Sequence, residues 1–199
     1  MSASVNILTL SEVSQEIGEI GLKEVLSSFS CPLNPEVEAF LKDEKKAIQS
    51  NAMSSPVTYL ALDSETGDLL GYFTVMMKAY SVKVSELNSS NRRLVERCSG
   101  IDVAGNATVP VYLIAQLGKN FSIPESRQIE GAELLDLAIS CFSKAKKIIG
   151  GKLIMIEREA DKPKLLEFYK NNAFKSWTTR RNEKDGIVYD QMFLVLNDE

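Results

Sequence analysis

Apolar positions along the chain alternate between short extended runs and helical stripes. Val5 to Leu10 reads as an opening strand. Ser11 then reads as the cap of a helix ending near Ser27 or Ser28, with Val13, Ile17, Ile20, Leu22, Val25 and Leu26 on its apolar side. Ser30-Cys31-Pro32-Leu33-Asn34-Pro35 breaks that helix. Asn34 before Pro35 starts a second one, because proline suits the first helical position. Val37, Phe40, Leu41, Ala47 and Ile48 form its apolar side, and its charges read as a solvated face. Val57–Leu62 and Leu69–Met77 are two strands, and the residues between them, Asp63-Ser64-Glu65-Thr66-Gly67-Asp68, are turn chemistry, so an antiparallel hairpin is expected. From Val82 to Thr108 periodicity is weak; Asn91–Arg97 fits a short helix and Gly100–Ala107 an exposed loop.

The most informative stretch runs from Val109 to Glu157. Val109–Asn120 is β-branched and apolar, and the polar loop Phe121–Gln128 follows, holding Pro124. Ile129-Glu130-Gly131-Ala132 then opens a helical pattern in which Leu134, Leu137, Ala138, Cys141, Ala145 and Ile148 make one stripe. Gly150-Gly151 ends it, since glycine accepts the left-handed conformation common at helix C-termini. Leu153-Ile154-Met155-Ile156 is a strand apolar enough to be buried on both faces. The unit is strand, polar loop, helix, strand, and the unpartnered amides of a helix start favour an anion such as phosphate. Asp161–Asn172 predicts a further helix, with Pro163 in its first turn. Ala173–Trp177 leads into a strand, Ile187–Leu196 is the last strand, and Asn182–Gly186 is the turn between them.

Composition narrows the chemistry. The 199 residues, 44% hydrophobic and 25% charged, fit one soluble domain spanning 1–199. No apolar run approaches the roughly 20 residues that cross a bilayer, so no membrane partner is expected. The N-terminus lacks a basic segment followed by an apolar one, so no signal peptide is expected. Cys31, Cys98 and Cys141, odd in number and far apart, fit reduced thiols and a cytoplasmic location. The absence of histidine excludes Ser-His-Asp and Cys-His nucleophilic systems and the usual zinc sites, and no metal is expected. No glycine-rich run ends in Gly-Lys-Ser/Thr, which excludes a nucleoside-triphosphate loop of that type. A net charge of −4 argues against a surface that coats nucleic acid. Arg92, Arg93 and Arg97 form a local basic cluster that either steers an anion or is a solvated helix face.

Two stretches together resemble the GNAT superfamily of acyl-CoA-dependent N-acetyltransferases. Leu113-Ile114-Ala115-Gln116-Leu117-Gly118-Lys119-Asn120, followed by Gly131-Ala132-Glu133-Leu134-Leu135, is similar to the family's fourth strand, pyrophosphate loop and third helix. Leu166-Glu167-Phe168-Tyr169-Lys170-Asn171-Asn172-Ala173-Phe174 resembles its Phe-Tyr…Gly-Phe signature, with Ala173 in place of the glycine. Phe29-Ser30-Cys31, Phe40-Leu41, Thr58-Tyr59-Leu60 and Gly71-Tyr72-Phe73-Thr74 look like the branch that includes toxin acetyltransferases. The family loop reads Arg/Gln-x-x-Gly-x-Gly/Ala. Gly131 fits its last position, which places Ile129 at the earlier glycine and Ser126 at the Arg/Gln, and Arg127 or Gln128 substitutes after a shift in the loop. Glu125, Glu130 and Glu133 surround the same loop. Pointed inward they would oppose phosphates; pointed outward they would favour the helix dipole.

The resemblance implies a mixed α/β (α+β) fold, a mainly antiparallel central sheet with a splayed parallel pair, flanked by about four helices. It implies acetyl-CoA as co-substrate and direct attack of an amine on the thioester. Pantetheine would pair with the backbone of Leu117, Gly118 and Lys119, and the Leu117 amide would stabilise the oxyanion. The diphosphate would rest on the loop from Arg127 and Gln128 through Ile129, Glu130, Gly131 and Ala132. Tyr169 stands where the family keeps its general acid, and a phenol with pKa near ~10 suits protonation of a thiolate. A second reading of Tyr169 is a ring packed at a helix end, and a second reading of Gly131 is close helix–sheet packing. No general base stands out, and Glu157 and Glu159 read either as candidates or as solvated carboxylates. The acceptor is expected to be a small-molecule or peptide amine, with tRNA disfavoured by the acidic charge and a homodimer compatible with the sequence. Two alternatives are a toxin-like enzyme acting on aminoacyl-tRNA, in company with an antitoxin, and a non-catalytic acyl-CoA-binding module.

Overall fold

A computed structural model describes residues 4–43, 45–52 and 55–197 of the chain. Among them are seven strands, β1 (Val5–Thr9), β2 (Val57–Asp63), β3 (Leu69–Lys83), β4 (Asn106–Lys119), β5 (Leu153–Glu159), β6 (Lys175–Arg181) and β7 (Val188–Val195). Six α-helices accompany them, α1 (Leu10–Ser27), α2 (Pro35–Lys42), α3 (Ala47–Ala52), α4 (Ser89–Cys98), α5 (Gly131–Ile149) and α6 (Pro163–Asn171). The strand order is β1-β2-β3-β4-β5-β7-β6. Every pairing with a recorded register is antiparallel except β4 with β5, which is parallel over Tyr112↔Ile154 and Leu113↔Met155.

The residues group into two compact units, 1–76 with 114–140 and 77–113 with 141–199. In the first, Leu26, Phe29, Val37, Leu41, Leu60 and Tyr72 form the centre of the core. The Tyr72 hydroxyl donates to the Val37 carbonyl at 2.6 Å, which satisfies its one polar atom in an apolar setting. β3 and β4 approach closely where both carry glycine: a Cβ on Gly71 would stand 2.8 Å from the Gly118 carbonyl oxygen. In the second unit, Leu153, Ile154, Met155 and Ile156 are buried as the run of apolar residues predicts. Trp177 packs on Tyr80 and on Phe193 at ring distances of 5.5 and 5.3 Å.

Several elements differ from the sequence reading, each for a local reason. Thr9, not Ser11, caps α1: its amide donates to Glu12 Oε2 at 2.6 Å while its side chain accepts from the Glu12 amide, a capping box. Gly18, at φ 75° and ψ 170°, interrupts that helix. Ile17 and Ile20, on either side of the break and expected on the apolar side, are 48% and 78% exposed, while Val13, Leu22 and Leu26 are buried as expected. The second helix ends at Lys42, because Asp43 takes extended angles, and Ala47 and Ile48 belong to α3. α4 forms at the short helix expected over Asn91–Arg97, and with α2 and α3 separate the described residues hold six α-helices where about four were expected. In α5 the buried face is Leu134, Leu135, Ala138 and Phe142, while Ile148 is exposed. β4 begins at Asn106, within the segment expected to be loop.

Candidate functional site

The first unit holds the whole of the loop singled out in the sequence. β4 ends at Lys119, and Asn120, 1% exposed, turns the chain. Its amide donates to the Leu70 carbonyl at 2.8 Å and its Nδ2 to the Leu69 carbonyl at 2.7 Å. Its Oδ1 accepts from the amides of Ser30 (2.9 Å) and Ser122 (3.0 Å). A buried amide side chain with its capacity so filled is a rigid fastening. Sequence reasoning passed over Asn120 as a strand end; the signal was a polar residue closing an apolar run. Lys119 lies with its ammonium 5.4 Å from the Phe121 ring centre.

Leu117 and Lys119 are half-buried and Gly118 is buried. Gly118 has a packing reason of its own: a Cβ there would lie 2.4 Å from Val37 Cγ1. Further along, Arg127 and Gln128 donate their amides to the Pro124 and Glu125 carbonyls at 2.9 and 3.2 Å, so those two amides are already engaged. The first bond into α5 from outside runs from the Leu134 amide to the Glu130 carbonyl at 3.0 Å. The amides of Gly131 and Ala132 precede it at the start of the helix, where backbone donors have no acceptor within the helix itself. Ile129 is buried and anchors the loop from within, and the Gln128 side chain donates to the Ile123 carbonyl at 3.0 Å.

Arg127 is committed. Its guanidinium donates to Thr66 Oγ1 at 2.6 Å, contacts Asp63 at 3.4 Å and makes a close ion pair with Asp68. Hydrogen bonds to Asp68 and then Asp63 push its pKa up further. A cleft of about 570 Å³ lies here, lined by Asp63, Glu65, Arg127, Ile129, Glu130 and Glu133 among others. Glu130 and Glu133 thus face a space shared with Arg127, and Glu125 is exposed.

The second unit holds the remaining candidates. Tyr169 sits on the last turns of α6, 9% exposed, with its ring against Phe168 at 5.1 Å and Phe174 at 5.5 Å. Burial pushes its hydroxyl up to about 12. That hydroxyl has no hydrogen-bond partner among the described residues. The helix ends on Ala173 at φ 65°, and the Phe174 amide closes it on the Tyr169 carbonyl at 3.0 Å. The glycine of the family signature is therefore replaced at a position that uses the left-handed region.

Glu157 is neither solvated nor free. Arg180 grips it with Nε at 3.1 Å and Nη2 at 2.9 Å, and Gln191 Nε2 donates to it at 2.6 Å. Burial raises its carboxyl, but the Arg180 and Gln191 hydrogen bonds outweigh that and hold it below its ordinary value. Gln191 is fully buried and accepts from Thr178 at 2.6 Å and from Tyr80. Glu159 pairs with Lys162 at 2.7 Å. Arg93 and Arg97 are exposed on α4, and Asn91 of that helix reaches the Ser176 carbonyl of β6 at 3.4 Å.

No protein-family model matches the chain, and no curated protein matches it in sequence. Solved structures do match. AtaT complexed with acetyl-methionyl-tRNAfMet is similar over 94% of this chain and 94% of that one, with TM-score 0.61 and 17% identity. AtaTR bound with AcCoA is similar over 96% of this chain and 92% of that one, with TM-score 0.59 and 16% identity. The NatC complex bound to Gag peptide and CoA is similar over 99% and 100%, with TM-score 0.52 and 15% identity. At these identities the likeness carries the path of the chain and leaves individual residue roles open. With its mainly antiparallel sheet and its parallel β4–β5 pair, this chain shares the fold of these structures.

Proposed function

We propose that the protein is an N-acetyltransferase that moves an acetyl group from acetyl-CoA to an amine by direct attack. The observation that carries this reading is the end of β4 passing through a fastened loop into the start of α5, where the first backbone amides have no acceptor within the helix. Such amides with the helix dipole behind them suit a diphosphate. The loop from Arg127 to Ala132 would hold the diphosphate, chiefly through the amides from Ile129 onward. The backbone of Leu117, Gly118 and Lys119 would hold pantetheine. A neutral amine attacks the thioester carbonyl, the Leu117 amide stabilises the oxyanion, and the carbon–sulfur bond breaks. Tyr169 then gives its proton to the departing thiolate. Its ring is fixed, its hydroxyl is uncommitted, and burial keeps it protonated at any physiological pH. Glu157 and Glu159 are ion-paired, so the amine's proton is assigned to water. No metal enters this chemistry, and the proposed location is the cytoplasm.

A second reading of the acceptor is favoured by one observation. Residues 77–113 and 141–199 carry 17 lysines and arginines against 12 aspartates and glutamates, whereas residues 1–76 and 114–140 carry 6 against 15. The net −4 is thus an average of a basic unit and a strongly acidic one, and whole-chain charge is the wrong measure of affinity for a polyanion. That basic unit fits an aminoacyl-tRNA acceptor, the kind of ligand named for AtaT. Acetyl-CoA consumption across amines, peptides and aminoacyl-tRNA tests both. Consumption with a small amine or peptide supports the first acceptor class, and consumption confined to aminoacyl-tRNA supports the second. Tight acetyl-CoA binding with no consumption on any acceptor would refute the enzyme and leave a binding module.

A further inference from the structure

The loop from Asn120 to Gly131 is fastened at both ends to a single turn, Asp63–Leu70. At its start, Asn120 donates to the Leu69 and Leu70 carbonyls. Near its end, Arg127 is held by Asp63, Thr66 and Asp68. The turn is itself stiff. Asp63 Oδ1 accepts from the amides of Glu65 (2.9 Å) and Thr66 (3.2 Å), the Asp63 amide donates to the Asp68 carbonyl (2.9 Å), and the Gly67 amide donates to the Asp63 carbonyl (2.8 Å). The amides of Glu65 and Thr66, and then Arg127, hold the Asp63 carboxyl below its usual range. Thr66 and Arg127 do the same for Asp68. All four groups are thus charged or fully hydrogen-bonded near neutral pH.

We infer that the Asp63–Leu70 turn is a bracket that pre-forms the diphosphate loop, with Arg127 and Asn120 as positioning residues that act through the loop backbone. This rests on the proposed cofactor reading. A loop ordered before binding spares the ligand the cost of ordering it. Arg127 has its charge matched by two carboxylates, so it adds little attraction of its own toward an incoming phosphate. Glu65, Glu130 and Glu133 lining the same cleft weaken that attraction further. What Arg127 contributes is the position of the amides that follow it.

The distinguishing variant is Asp68→Asn, beside Arg127→Gln. If Arg127 positions the loop, both variants bind acetyl-CoA roughly 3–10-fold more weakly by calorimetry, through a loop that must now be ordered on binding. The rise then falls in KM while kcat at saturation holds. If Arg127 were instead a phosphate ligand, Asp68→Asn would release it and tighten binding while Arg127→Gln weakened it; opposite signs would overturn the inference. Amide hydrogen exchange over residues 121–131, measured without cofactor, reads the bracket independently and should accelerate in both variants. Unchanged exchange overturns the bracket. Accelerated exchange supports it even where the wild-type protein binds no acetyl-CoA, a result that would defeat only the proposed function.

Discussion

Gly118→Ala is the substitution that the packing around β4 tolerates least. A Cβ at that position would stand 2.4 Å from Val37 Cγ1, 3.0 Å from Phe29 Cζ and 3.0 Å from Tyr72 Cε1. None of the three can yield freely. Phe29 and Tyr72 have no exposed surface, their rings meet edge to face at 5.1 Å, and the Tyr72 hydroxyl is bonded to the Val37 carbonyl at 2.6 Å. Overpacking a closed core costs about 1–3 kcal/mol, and one methyl meeting three locked neighbours belongs at the upper end. For a chain of this length, about 3 kcal/mol lowers Tm by roughly 6–12 °C. With a urea m-value of about 2–3 kcal/mol/M, the midpoint falls by roughly 1–1.5 M. Thermal and urea unfolding of the wild type and the variant, followed by circular dichroism, measure both. A Tm within about 2 °C of wild type would show that α2 moves aside cheaply, and the packing account of this glycine would fail.

Three further outcomes are expected. Tyr169→Phe should lower kcat by roughly 10²–10⁴-fold, the range for a lost general acid, with little change in acetyl-CoA affinity. Its ring contacts at 5.1 and 5.5 Å survive, and since the hydroxyl stays protonated to about 12, the wild-type rate should show no tyrosine limb below pH 10; near-wild-type turnover with a poor leaving thiol would remove the acid. Ala173→Gly should stabilise the fold by up to about 1 kcal/mol, because leaving φ 65° to glycine relieves roughly 1–2 kcal/mol of strain against roughly 0.5–1 of added chain entropy; a lower Tm would contradict this. Gly131→Val should weaken acetyl-CoA binding about tenfold or more by crowding the backbone approach, and an unchanged Kd in a folded variant would move the diphosphate elsewhere.

Where the physics is short-range, the elements were legible. The Asn34-Pro35 start gives α2 its cap, with Asn34 accepting from the Val37 amide. The Asp63–Asp68 residues make the turn, and the Gly150-Gly151 stop takes φ 74° and 102°. The loop opening α5 could also be located, since its signature is a change of periodicity over a few residues. Stripe assignments held in part: in α1 Val13, Leu22 and Leu26 are buried as read, and in α5 Leu134 and Ala138 are, while Ile148 is exposed. Ile17 and Ile20, which flank the break at Gly18, read as core and lie outside.

The sequence by itself determined the strand–loop–helix–strand unit, the antiparallel hairpins, the absence of histidine chemistry and, through two motifs, the fold. The tertiary structure alone decided what the charged groups do. Arg127 finds Asp63 at a separation of 64 positions, and Glu157 finds Gln191 at 34, distances at which local pattern carries no information. Asn120 became a fastening only because folding brings Ser30, Leu69 and Leu70 around it. A sum of charges over the chain likewise cannot reveal its division between two units, since that division is set by which segments pack together. Backbone preference and apolar period act between neighbours, whereas an ion pair or a buried amide acquires its role from partners that only the folded chain supplies.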